Sequence, residues 1–142
     1  MIDTFRNELA RKGYASKAIL PDAEFARLVA AADADPAIIR TPPDELRYIE
    51  GLLELPLGHL KFFCVVPQTG DGVCACGRRM SALDIVSYAV RHAVHSRSLI
   101  RDTLIGLRNM FEIAQGGRQG ECLNCGRPVV SRVYYSHTYM YA

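Results

Sequence analysis

Four of the five cysteines in this chain fall into two short turns that are imperfect copies of each other. One reads Val73-Cys74-Ala75-Cys76-Gly77-Arg78-Arg79, the other Cys122-Leu123-Asn124-Cys125-Gly126-Arg127-Pro128. Aligning Cys76-Gly77-Arg78 on Cys125-Gly126-Arg127 superimposes the turns, except that Cys74 falls one place later than Cys122 requires. Each turn delivers two thiols within about 4 Å of each other, and together they supply the four soft ligands that one tetrahedral zinc ion takes. An ion bound this way forces two segments with 45 residues between Cys76 and Cys122 into one place.

The spacing Cys122-Leu-Asn-Cys125-Gly126 lets the backbone fold back so that both sulfurs face one point and amide groups of the turn can donate to them. Gly126 suits the residue after the second ligand, which often takes a positive φ. Cys74-Ala-Cys76-Gly77 makes a tighter chelate loop. Four thiolates around a divalent ion carry a net charge near −2, and Arg78, Arg79 and Arg127 stand beside them in the sequence. Guanidinium groups there can offset that charge through hydrogen bonds, or they can be solvated loop residues. With all four positions filled by protein the ion is structural, one per chain, and has no open position for substrate. Met1–Arg6 shows no secretory leader, which disfavours disulfides and points to a reducing, cytoplasmic compartment. A redox dithiol opens a helix, whereas Gly126-Arg127-Pro128 breaks one. An iron–sulfur cluster uses the same ligands, and spacing does not separate it from zinc.

The two turns resemble zinc-knuckle turns of the zinc-ribbon and treble-clef kind. The likeness covers residues 73–79 and 122–128 and implies a structural metal; Cys74-x-Cys76 departs from that pattern. Hydrophobic spacing fills in the rest. Ile2, Phe5 and Leu9 predict a first helix, Phe25, Leu28, Val29 and Ala32 a second, and Leu46, Ile49 and Leu53 a third that starts at Thr41-Pro42-Pro43. Leu60–Val66 reads as a strand with Phe62, Cys64 and Val66 on one face, which makes Cys64 a buried hydrophobe. Ser81 and Asp84 form a capping box that opens a helix to about Arg97. Another helix is expected from Ser98 to Gln115, then a strand from Val129 towards Met140. The expected class is α+β: N-terminal helices, a short β region carrying the two cysteine turns, and a helical hairpin inserted between them. Residues 1–66 read as a helical region packing on a strand, and 67–142 as the zinc-binding region.

Charge is uneven. Residues 1–70 hold eight basic and ten acidic side chains (−2), and residues 71–142 hold nine basic and five acidic (+4), all nine of them arginine. Arginine favours planar recognition of carboxylate or phosphate. The longest apolar stretch, Leu52–Val66, is interrupted by Glu54, Pro56, Gly58, His59 and Lys61, so no membrane span is expected.

Two further groups stand out. Tyr88, His92 and His95 follow Ile85 on one side of the expected helix, roughly opposite Leu83, Val86 and Val90. They suit packing, an interface, or a second metal or acid/base site. At the C-terminal end Tyr135, His137, Tyr139 and Tyr141 alternate on one strand face, as interface tyrosines do. No Gly-rich phosphate loop, nucleophile elbow or suggestive carboxylate pair is present, which lowers the expectation of an enzyme. The reading that follows is a small structural-zinc protein that binds another protein, as adaptor, accessory subunit or toxin-neutralising partner. A nucleic-acid binder using the arginines of the second half is the alternative, and an enzyme or its accessory factor using His92 and His95 comes third. The oligomeric state is not legible.

Overall fold

Prolines and one buried glutamate set the frame of the first half. The computed structural model describes residues 8, 11–13, 20–67, 70–104 and 119–133. Helix α1 (Asp22–Asp33) follows Pro21 and buries Leu28 and Ala32. A two-residue strand, β1 (Ile39–Arg40), leads to α2 (Pro43–Leu53). Its leading proline occupies a position whose N–H would be unsatisfied in any case. Leu46, Ile49 and Leu53 are its buried stripe, as the spacing predicts. The fully buried Glu50 pins the following loop: its carboxylate accepts the Gly58 and Leu60 N–H groups at 2.9 and 2.6 Å and pairs with Arg47 at 2.6 Å. Leu60 is thereby delivered to the core.

The segment Leu60–Val66 works on both faces. Leu60, Phe63 and Val65 join the larger hydrophobic cluster, while Phe62 and Cys64, with Val66 packed against them, join a smaller one with Leu20, Leu28, Ala32 and Ile38. Phe25 meets Phe62 edge-on, centroids 6.5 Å apart. The ladder starts later than the composition suggests, as β2 (Cys64–Pro67), because β1 is only two residues long and pairs Ile39 with Val65 and Arg40 with Cys64. Burial pushes the Cys64 thiol up to about 12, against the opposing pull of Arg40. It is the small apolar residue its place on the strand implies.

Helix α3 (Ala82–Arg91) opens with the expected capping box: the Leu83 N–H donates to Ser81 Oγ and the Ser81 N–H to Asp84. It ends six residues earlier than the spacing predicts. Ala93 takes a left-handed φ of 51°, Val94 N–H donates to the Ala89 carbonyl and Ala93 N–H to that of Val90. This is a Schellman closure made by alanine in place of glycine, at a conformational cost of about 1–2 kcal/mol. Helix α4 (Arg97–Leu104) follows; the expected continuation to Gln115 lies outside the described residues, as do most of the first expected helix and the chain beyond Val133.

Strands β3 (Gln119–Glu121) and β4 (Pro128–Val133) complete the β structure. Among the described residues the strands form one antiparallel sheet in the order β1-β2-β4-β3, with an irregularity at Val66/Pro67. The architecture is α+β. The larger cluster draws on α2, β2, α3 and Ile100 of α4, so it spans both sides of residue 67. Full burial of each Leu, Ile or Phe there contributes about 1.5–3 kcal/mol.

β3 rests directly on the start of α3. A Cβ built on Gly120 would lie 2.7 Å from the Asp84 carbonyl oxygen and 3.0 Å from its carbon, both backbone. Gly51, on the open side of α2, meets nothing. Gly120→Ala should therefore lower stability by about 1–3 kcal/mol, whereas Gly51→Ala should raise it by about 0.5–1 kcal/mol. Urea denaturation of both variants checks the pair of signs.

Candidate metal centre

Each cysteine turn is the tip of a hairpin, and both tips close by the same two hydrogen bonds. In the first, the Cys74 N–H donates to the Arg78 carbonyl and the Gly77 N–H to that of Cys74. In the second, the Cys122 N–H donates to the Arg127 carbonyl and the Gly126 N–H to that of Cys122. The residue missing from the first turn is absorbed inside the loop, and the closure is conserved between the two. Gly77 and Gly126 hold positive φ values of 96° and 75°, which an L residue rarely takes. Outside the tips, Val73 bridges Arg79, and β3 pairs with β4 through Glu121 and Pro128.

The folded chain brings Cys74, Cys76, Cys122 and Cys125 together, with all four sulfurs within 4.8 Å of one another. Two close approaches run between the turns: Cys74 Sγ to Cys125 Sγ at 3.3 Å and Cys76 Sγ to Cys122 Sγ at 3.5 Å. Four thiolates at about 2.3 Å from a tetrahedral ion stand about 3.8 Å apart, so this group can hold one metal ion. Cys122 is buried, Cys74 half-buried, and Cys76 and Cys125 face solvent. The Arg127 backbone N–H lowers the Cys125 thiol, but its contacts with Cys74, desolvation, and the Cys76 and Cys122 thiols outweigh this and carry it up to about 11. Loading an ion at neutral pH therefore displaces a proton.

Arg78 does not serve these sulfurs. Its guanidinium makes two hydrogen bonds to Asp84, at 3.0 and 2.9 Å, and two to Glu45, at 2.8 and 3.3 Å. The Asp84 contacts, then those to Glu45, hold it firmly protonated against partial burial. Two nearby carboxylates offer a planar guanidinium fork more than thiols do. Arg79 is exposed and lines a cleft of about 280 Å³ with Asp33, Arg40 and Pro42. Arg127 is the residue that acts at the sulfurs, and it does so through its backbone.

Asp84 is the residue whose role at the site sequence spacing does not reveal. It is fully buried, and besides the Ser81 N–H and Arg78 it accepts the Leu123 N–H at 3.0 Å. One carboxylate thus holds the start of α3, the arginine of the first turn and the backbone of the second. Ser81 Oγ donates to Glu45, and Thr41 Oγ1 accepts the Ala82 N–H, which link the same point to α2. The available signal was an acidic residue inside the mostly apolar stretch 82–90.

The tyrosine–histidine group is only partly assembled. Tyr88 lies on α3 with its ring 4.4 Å from that of His92, and His92 Nε2 lies 3.4 Å from Glu121. His92, however, caps the helix and His95 lies beyond it, because Ala93 turns the chain; the two histidines do not share a helical face. Ile85, expected opposite the core, is itself fully buried. Tyr135, His137 and Tyr139 lie outside the described residues. Among the described residues no helix is long and apolar enough to cross a membrane.

A family model described as "Domain of unknown function (DUF8243)" matches residues 12–142, a span that contains all four clustered cysteines. No curated protein and no solved structure matches the chain.

Asp84→Asn removes the charge that both turns lean on. Metal affinity, read by competition with a chromophoric chelator, should fall about 10–100-fold. Stability should drop by about 3 kcal/mol, the lower end for a broken buried pair because Glu45 still faces Arg78.

Proposed function

The chain belongs to the DUF8243 family, and we propose that it is a structural-zinc protein whose cysteine turns carry a surface for another protein. The observation behind this is the convergence of four sulfurs, with two close pairs formed between the turns. An all-thiolate set favours zinc among abundant divalent ions in a reducing, cytoplasmic setting. With four protein ligands, one zinc per chain cross-links the hairpin tips and leaves no coordination position for catalysis.

The partner surface lies where the tips meet solvent. Val73 is 50% exposed, and Leu123 and Val130 are each 39% exposed, one from each side of the metal group and one from β4. Val73 and Val130 border a groove of about 490 Å³ between residues 70–75 and 127–130, floored by Pro67 and Met80. Apolar side chains at the rim of a groove with one arginine, Arg127, have the character of a protein-binding patch. This patch replaces the Tyr88, His92 and His95 group as the favoured contact, because His92 is engaged by Glu121 and Tyr88. The nucleic-acid alternative loses support because Arg78 and Arg91 pair with carboxylates of the same chain.

The double variant Val73→Glu/Val130→Glu should retain its metal and its melting temperature but lose, by tenfold or more, affinity for a partner recovered with the unaltered chain. Equal binding by the variant would rule this surface out.

A further inference from the structure

The geometry that lets one ion join the two turns also pairs their sulfurs for oxidation. We propose that the metal group is a thiol switch in which a hydroperoxide converts Cys74 and Cys125 into a disulfide and expels the ion. The proposal deepens the zinc reading and rests on it.

Three observations carry it. Cys125 is exposed, so a small oxidant reaches its sulfur directly, and Cys74 Sγ stands 3.3 Å away on the other turn. The other close pair joins exposed Cys76 to Cys122, which is only 3% exposed and correspondingly shielded. Cys64 is fully buried at the opposite extreme, so the chemistry is confined to the metal group.

In the first step the Cys125 thiolate gives an electron pair to the outer oxygen of the hydroperoxide. The O–O bond breaks, a sulfenate forms, and the departing alkoxide takes up a proton. The Cys74 thiolate then attacks the Cys125 sulfur. An S–S bond forms, the S–O bond breaks, and hydroxide leaves as water after protonation. Two thiolates, one hydroperoxide and two protons thus give one disulfide, one alcohol (water when the oxidant is hydrogen peroxide) and one water. The two electrons lost by sulfur reduce the peroxide. An ion left with Cys76 and Cys122 alone has lost half its ligands and dissociates.

The pairing has a structural consequence. A disulfide within one turn would untie the two hairpins when the metal leaves. A Cys74–Cys125 disulfide joins the same two tips that the ion joins, so oxidation exchanges one cross-link for another and leaves the Asp84 contacts to both turns in place. Reduction restores the ligand set.

The test uses the full-length chain, reduced and loaded with zinc, and Cys64→Ser alongside it. One equivalent of hydrogen peroxide is added, zinc release is followed with a chelating dye, and disulfides are mapped by mass spectrometry after alkylation. The expected result is one zinc released per disulfide, Cys74–Cys125 as the first linkage in both proteins, and recovery of zinc binding after dithiothreitol. A Cys122–Cys125 linkage formed first, or zinc loss accompanied by sulfinic acids without a disulfide, overturns the switch. Zinc retained under peroxide that consumes free glutathione overturns it as well. Failure of the reduced chain to take up zinc is seen before any peroxide is added, and sinks the metal reading itself.

Discussion

A single buried carboxylate holds the four-cysteine group in shape. Asp84 caps α3, receives the guanidinium of the first cysteine turn, and accepts a backbone N–H from the second. A buried charge is stable only where its lone pairs are matched, and here four donors meet it. Because the turns are separated by α3 and α4 in the chain, neither can place its sulfurs relative to the other without such a shared point. Gly120 completes the arrangement by letting β3 lie against the backbone of the same residue. An ion bound by the sulfurs would act on the same two hairpins as the carboxylate behind them, each favouring the geometry that the other needs.

The network also joins the two halves of the chain. Glu45 on α2 reaches both Arg78 and Ser81, and Thr41 reaches the first turn of α3. Together with a core shared by α2, β2 and α3, these contacts connect the four-cysteine group to the first half. The proposed partner surface lies at the tips themselves, where Val73 and Val130 stand exposed beside a groove that Cys74 also lines.

Much of this was legible in the residues. Cysteine spacing located the four-sulfur cluster because the geometry of each pair is local to its turn, and the imperfect repeat reflected a true likeness, since both turns close by the same hydrogen bonds. The stripe of α2, the Ser81 capping box and the inward face of Cys64 followed from periodicity and short-range chemistry. What escaped depended on distant partners. Arg78 stands beside two cysteines in the sequence, yet Glu45, 33 positions away, helps to draw it off. β3, with the sequence Gln-Gly-Glu, has no strand signature of its own and exists by pairing with β4. The end of α3 went unseen because the left-handed residue is Ala93, where glycine would have been the signal, and with it went the common face of His92 and His95.

The most direct test of the account is zinc-edge X-ray absorption on the full-length chain, combined with elemental analysis. The account predicts one zinc per chain with four sulfur neighbours at about 2.3 Å. A shell containing nitrogen or oxygen, iron in place of zinc, or a reduced chain that holds no ion would contradict it.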